Sequence, residues 1–217
     1  MLRGYEWTQE RKKEHFGDGA SSTAYEDYQR DQIGKVMGVD VLKPSPPVRF
    51  HVRPIGLYDN DVRLVEQRTL GNIHDFTENF DGKQVFGKNV VYINFKFIVG
   101  HGGNQTSRLR DVGFFVKTQM QWLDSTENDG HVYFANVLDG ERCAKEFEHF
   151  EKLLTLDSCT SSYSQRIFVG DSVGYVDWIS SKFPPSYEGW WGLGNVICLF
   201  VVWIFILLKK SSYYVWV

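Results

Sequence analysis

Few residues in this chain have the types and the spacing that catalysis or metal binding requires. Cys143, Cys159 and Cys198 are far apart, whereas the ligands of structural metal sites usually come in closely spaced pairs. His101 lies in the glycine-rich segment 100–104 (GHGGN), and its imidazole would titrate near neutral pH. That segment lacks the Lys-Ser/Thr that follows a phosphate-binding loop, and no Ser–His–Asp or paired-carboxylate pattern is evident. The sequence therefore predicts no metal and no cofactor.

The composition indicates a folded protein without the charge of a typical nucleic-acid-binding domain. Of 217 residues, 42% are hydrophobic and 24% are charged, which favours a globular chain over a disordered one. The formal net charge is −3, and no cluster of Lys and Arg stands out. Because affinity for phosphates depends on clustered cations, no nucleic-acid partner is predicted.

One long apolar segment lies near the C-terminus. Residues 190–208 (WWGLGNVICLFVVWIFILL) carry no charge, and a helix over them would be roughly 28 Å long, about one hydrocarbon core. Aromatic and basic residues that suit the two membrane interfaces flank or begin the segment, namely Trp190, Trp191, Lys209 and Lys210. The pattern predicts a single transmembrane helix in contact with a lipid bilayer, and a buried core helix is the alternative.

In the rest of the chain, the pattern predicts short strands and few helices. Strand-like runs rich in Val, Ile, Phe and Tyr occur at 48–52, 61–67, 89–99, 113–119, 131–137 and 166–171. Helical stretches are expected near 73–80 and over 141–154. The predicted domains are an extended polar arm (1–47), a β-rich domain (48–182), a hinge (183–189), the membrane helix (190–208) and a short tail (209–217). Such a pattern favours a β-barrel or a sandwich.

Several segments resemble, in the same order, those of the cyclophilins, a family of peptidyl-prolyl isomerases. They are VRFHV (48–52), NIHDFTENFDG (72–82), FIVGHGGNQT (97–106), GFFVKTQMQWLD (113–124), HVYFANVLDGE (131–141) and RIFVGDSVGYVD (166–177). The resemblance implies a mainly β fold, a closed antiparallel barrel with two helices, followed here by the transmembrane helix.

The resemblance also implies a degenerate isomerase site. The family's catalytic Arg aligns with Ile93, and a shift of one residue would place Tyr92 or Asn94 there instead. Losing a preorganised donor of this kind costs about 3–4 kcal/mol of transition-state stabilisation. What would remain of the proline pocket is Val99, His101, Phe115, Trp122, Leu123 and His131. Ordinary core packing is the alternative interpretation of Phe115 and Trp122.

These expectations together predict an accessory subunit rather than an enzyme. The domain would act as a non-catalytic scaffold in a membrane complex, a mitochondrial respiratory-chain or ATP-synthase assembly being the first choice. Its partners would be other subunits of that complex, and its location the mitochondrial inner membrane or another tail-anchored site. Two alternatives remain open: a membrane-anchored prolyl isomerase, and a protein that binds proline segments without turnover.

Overall fold

The computed structural model describes residues 2–52, 55–59, 76–100, 103–125, 130–155 and 163–184. The helices are α1 (Gln9–Phe16), α2 (Ser22–Met37), α3 (Gly103–Leu123), α4 (Phe147–Thr155), α5 (Tyr163–Arg166) and α6 (Ser172–Lys182), with 3₁₀ turns at Gly4–Glu6 and Cys143–Glu146. The strands are β1 (Val48–Val52), β2 (Ile55–Asp59), β3 (Gly82–Phe86), β4 (Asn89–Phe97), β5 (Val132–Asp139) and β6 (Ile167–Gly170). These elements lie in one unit, Met1–Phe183. The second unit, Pro184–Val217, lies almost wholly outside the described residues.

A mixed four-stranded sheet forms the centre of this unit, in the order β3-β4-β5-β6. β3 and β4 form an antiparallel hairpin, with Gly82 opposite Ile93. β4, β5 and β6 run parallel to one another. Parallel neighbours need a long crossover, and α3 supplies it between β4 and β5. β1 and β2 form a separate two-stranded antiparallel hairpin.

Helices cover both faces of the sheet, because successive residues of a strand point to opposite sides. On one face, Ile93 packs in a buried cluster with Ile33 of α2 and Tyr175 of α6. On the other face, Phe134 of β5 packs with Phe115 and other residues of α3. The result is an α/β architecture with an apolar core on each side of the sheet.

Two of the helices that cover the sheet have recognisable caps. Ser21 precedes α2, and its Oγ accepts a hydrogen bond of 3.3 Å from the backbone N–H of Ala24. Gly38 ends the helix with a φ of +65°, a left-handed conformation that glycine adopts without steric cost. Asp171 caps α6 in the same way as Ser21 caps α2, by accepting from the N–H of Gly174 at 2.8 Å.

The predicted closed antiparallel barrel is wrong, since the sheet is open, mixed and covered by helices. The decisive error is the run 113–119, which was expected to be a strand but lies in the middle of α3. A longer window shows the helical period: Leu109, Val112, Val116 and Met120 are all buried along one side of α3. Because the resemblance to the cyclophilins required a strand and a turn at 113–124, that assignment is wrong as well.

Other expected elements have mixed outcomes. The runs 48–52, 89–99, 131–137 and 166–171 coincide with β1, β4, β5 and β6, and the helix expected over 141–154 is a 3₁₀ turn followed by α4. The described part of 73–80 contains no helix, and Phe76 instead pairs with His51 in an isolated bridge. The run 61–67 lies outside the described residues.

The N-terminal segment, which was expected to be an extended arm, contains α1 and α2 and packs on the sheet. Trp7 is buried and contacts Phe97 at the end of β4, with ring centroids 5.3 Å apart. The carbonyl oxygen of Trp7 also accepts a hydrogen bond of 2.8 Å from the N–H of Glu141, just beyond β5. This segment is therefore part of the fold of the described unit.

The predicted transmembrane helix has no counterpart among the described helices, none of which is both long and apolar enough to cross a membrane. Residues 190–208 lie outside the described part of the chain, and so do Trp190, Trp191, Lys209 and Lys210.

Candidate active site

The residues expected to form a proline pocket are mostly packed in separate apolar clusters. Ile93 is buried between the sheet and α2, and Val99 packs near Trp7. Phe115 and Trp122 are buried on the α3 side of the sheet, where Leu123 packs against the same cluster. The structure does not bring Ile93 and Phe115 to one cleft, since they lie on opposite faces of the sheet.

Of the two histidines of the expected pocket, the structure describes one. His131 lies directly before β5, where its carbonyl oxygen accepts a hydrogen bond of 2.9 Å from the N–H of Val90. His101 lies outside the described residues.

A polar cleft is found instead at the carboxyl end of β4, between α2 and α3. Its volume is about 250 Å³. The polar and charged side chains that line it are Ser22, Glu26, Glu78, Lys96, Arg108 and Asp111. Ligands of open α/β sheets bind near the carboxyl ends of the parallel strands, which is where this cleft lies.

Lys96 and Glu78 form the central ion pair of the cleft. The Lys96 ammonium donates a hydrogen bond of 2.9 Å to Oε2 of Glu78 and lies 2.9 Å from Oε1. The side chain of Lys96 is 16% exposed and that of Glu78 is 44% exposed. The ammonium is thus held against both carboxylate oxygens, while the Glu78 side chain remains partly exposed.

Asp81 stands beside this pair, just before β3. Its Oδ2 accepts a hydrogen bond of 2.8 Å from the backbone N–H of Phe95, and its own N–H donates to the carbonyl oxygen of Ile93 at 2.9 Å. Its carbonyl oxygen accepts from the guanidinium of Arg30 on α2, at 2.8 Å. Three contacts therefore fix both the backbone and the carboxyl group of Asp81 against β4 and α2.

The segment that leads to Asp81 is held by β1. The N–H of Thr77 donates to the carbonyl oxygen of Phe50 at 3.0 Å, and Oγ1 of Thr77 accepts from the N–H of Phe50 at 3.0 Å. Phe80 is buried in the core and its N–H donates to the carbonyl oxygen of Val48 at 2.8 Å. Glu78 lies between these two anchors, so its position is set by the pairing with β1.

Burial and neighbouring charges raise the pKa of Asp81 from the ordinary 3.8 to about 6. Desolvation is the largest cause, and the carboxylates of Glu26 and Glu78 act in the same direction. The Lys96 ammonium and the N–H of Phe95 oppose the rise. A carboxyl group with a strongly shifted pKa next to charged residues of a cleft is a recognised mark of a functional site.

The donor set suits a hard divalent cation rather than a soft metal. Within the described residues, no three His, Cys, Asp or Glu side chains form a ready-made metal cage. Mg²⁺ needs fewer protein ligands than such a cage provides, because it commonly keeps several waters and binds through one or two carboxylates together with substrate phosphates. Glu78 lines the cleft and interacts electrostatically with the Asp81 carboxyl group, so these two carboxylates are the candidates for that role.

Sequence reasoning missed Glu26, Glu78, Asp81 and Lys96. One signal was available: Lys96 interrupts the apolar run of β4 (NVVYINFKF), where a charge is costly unless it is paired. The pair itself could not be inferred, since Glu78 comes from the segment before the β3–β4 hairpin and has no short spacing to Lys96.

No protein-family model matches the chain, and no curated protein or solved structure is detectably similar to it.

Proposed function

We propose that the cleft at the end of β4 hydrolyses phosphodiesters with the help of a divalent cation. The observation that carries this proposal is the ion pair of Lys96 with Glu78 in the cleft, at 2.9 Å, together with an Asp81 carboxyl group near enough to interact electrostatically with both charges. Carboxylates attract a cation and a lysine attracts a phosphate, so the two kinds of group in one cleft suit a cation-assisted reaction of a phosphate ester.

Each side chain has a distinct role in this proposal. Glu78 and Asp81 would hold the cation, which supplies an activated water and neutralises charge on the phosphate. Lys96 would lie against a non-bridging phosphate oxygen and stabilise the negative charge that grows there in the transition state. Arg108, whose guanidinium donates to the carbonyl oxygen of Phe97 at 3.4 Å, would orient the substrate at the cleft's edge.

The reaction is a displacement at phosphorus. The oxygen of a water molecule forms a bond to phosphorus while the bond from phosphorus to the leaving oxygen breaks. One proton of that water passes through solvent to the leaving oxygen, so the products are a phosphate monoester and an alcohol.

The accessory role in a membrane complex, which the degenerate isomerase site and the apolar segment predicted, stays a prediction. The same holds for a mitochondrial location and for other subunits as partners, because the described residues do not bear on them. Phosphodiester hydrolysis is supported by the contacts of Lys96 and Glu78 in the cleft.

The test is the hydrolysis of bis(p-nitrophenyl) phosphate by the purified full-length chain, with and without Mg²⁺ or Mn²⁺. Cation-dependent release of nitrophenol is expected. Replacing Lys96 by Ala should reduce kcat by roughly a hundredfold, as removal of one preorganised charge-stabilising donor commonly does.

Lys88→Ala is the matched control, because Lys88 is exposed in the β3–β4 turn, away from the cleft. It should retain full activity. Thermal unfolding of both variants verifies that they are folded. Hydrolysis that is absent in the parent chain, or equal in the two lysine variants, would rule the proposal out.

A further inference from the structure

A second cavity lies on another side of α3, between this helix and the segment that runs from Arg142 into α4. Its volume is about 410 Å³. We call it the α3–α4 groove. Its floor is apolar, since Leu109 and Phe150 are buried beneath it.

Three cations and one exposed aromatic ring line the groove. Arg110, Phe114 and Lys117 follow one another along α3 at a spacing of four and then three residues, which places them on one side of the helix. Arg142 faces them and is paired with Glu146 at 3.6 Å. Glu146 is the one carboxylate among the described residues that line the groove. The groove therefore carries more positive than negative charge, even without a contribution from His149.

Phe114 is the most unusual of these residues, because 54% of this large apolar side chain is exposed. Its neighbour Gly113 leaves open space at the bottom of the groove, where an added Cβ would meet only Phe150, at 4.0 Å. An exposed ring between cations, above an apolar floor, matches a ligand that has both flat rings and phosphates.

The groove and the cleft share the first half of α3. Arg108 and Asp111 line the cleft, while Arg110 and Lys117 line the groove, so the two cavities lie on different sides of the helix. A strand that occupies the groove and also reaches the cleft must therefore pass around α3.

From this geometry we infer that the α3–α4 groove binds single-stranded nucleic acid, an inference that rests on the proposed phosphodiesterase function. A base stacks on Phe114, and phosphates on either side contact Arg110 and Lys117, which are about 10 Å apart along the helix axis. Single strands are favoured over duplexes because a duplex does not expose the base faces that the ring needs. The net charge of −3 of the whole chain does not oppose this, since the positive charge is local.

The inference is tested by fluorescence anisotropy of a labelled oligothymidylate mixed with the full-length chain in EDTA, which prevents cleavage. Phe114→Ala should raise Kd roughly fivefold or more, in line with the loss of one stacked base. The double variant Arg110→Gln/Lys117→Gln should raise Kd at least tenfold and reduce the slope of log Kd against log salt by about 1.4. The control is Lys88→Gln/Lys145→Gln, which removes the same charge from exposed positions outside the groove.

Failure of this inference is distinguishable from failure of the proposed function. Groove variants should still hydrolyse bis(p-nitrophenyl) phosphate at the parent rate, whereas Lys96→Ala should still bind the oligonucleotide. Groove variants that bind like the parent, or a duplex that binds as tightly as the single strand, would overturn the groove inference while leaving the hydrolysis intact. Absence of hydrolysis of the small diester would remove the function on which the inference rests.

Discussion

The carboxyl group of Asp81 accepts a hydrogen bond from the backbone N–H of Phe95, so a side chain continues the pairing of β4 beyond the end of β3. β3 pairs with β4 only as far as Ile93, and the last residues of β4 would otherwise have a free edge on that side. The same contact places the carboxylate beside Lys96. The hydrogen bond from Phe95 thus holds Asp81, which the proposed function assigns to cation binding, against the end of the sheet.

Asp81→Asn separates the chemical role of this residue from its structural role. The amide oxygen of Asn still accepts from Phe95, but the negative charge that holds the cation is lost. We expect phosphodiester hydrolysis to fall by at least a hundredfold. We expect the free energy of unfolding at pH 8 to rise, by at most about 3 kcal/mol, because the folded state no longer buries an ionised carboxylate.

The measurements are the initial rate and urea unfolding of the same preparations. A variant that loses activity together with stability would show that Asp81 is a structural residue and that the cation site lies elsewhere.

The pH dependence of hydrolysis should follow the ionisation of Asp81. The carboxyl group must lose its proton to bind a cation, and its pKa is raised to about 6. At low cation concentration, kcat/KM should therefore rise about tenfold per pH unit below this value and level off above it. Raising the Mg²⁺ concentration should move the midpoint to lower pH, since the cation competes with the proton. A profile that is flat between pH 5 and 7 would contradict the assignment.

Phe114 and Phe115 are adjacent residues with opposite environments, and they provide a matched pair. Phe115 is buried and contacts Phe80 and Phe50, with ring centroids 4.9 and 5.8 Å away, whereas Phe114 is exposed. Phe115→Ala should lower the free energy of unfolding by about 3–5 kcal/mol through the cavity that it leaves. Phe114→Ala should change it by about 0.5 kcal/mol or less. Urea unfolding checks both values, and similar losses for the two variants would refute the description of α3.

The same two residues show why the fold could be predicted only in part. Gly113, Phe114 and Phe115 belong to a short apolar run, and such a run is compatible with a strand or a helix until a longer window is considered. The strands β1, β4, β5 and β6 were recognisable because β-branched and aromatic residues dominate them. β4 and β5 can run parallel only because α3 forms the crossover between them. When 113–119 is interpreted as a strand, that crossover is missing and the pattern favours an antiparallel barrel.

The candidate site was harder to predict than the strands. Lys96 was visible as a charge in an apolar strand, but Glu26, Glu78 and Asp81 belong to two other segments with no short spacing that unites them. Their proximity depends on the packing of α2 and on the pairing of residues 77–80 with β1. Tertiary contacts of this kind leave no local pattern in a single sequence.

Asp139 provides the last prediction, which concerns stability rather than catalysis. It is buried at the end of β5, where its carboxyl oxygens accept hydrogen bonds of 2.9 Å from the N–H of Ser172 and from the amide of Gln29. Desolvation is the main cause that raises its pKa from the ordinary 3.8 to about 6, and the charge of Asp171 adds to the rise. The folded state therefore holds a proton more tightly than the unfolded state, so the stability from this group is complete below pH 3.8 and is lost as the pH rises through 6.

Asp139→Asn mimics the protonated form at every pH and should lack this dependence. We compare the free energy of unfolding of the variant with that of the parent chain at each pH. From pH 4 to pH 7.5, this difference should shift in favour of the variant by up to about 3 kcal/mol. Urea unfolding at the two pH values measures this double difference, in which the contributions of the other carboxyl groups cancel. An unchanged difference would mean that Asp139 ionises in the folded chain as easily as in water, and that the buried contacts with Gln29 and Ser172 offset the desolvation completely.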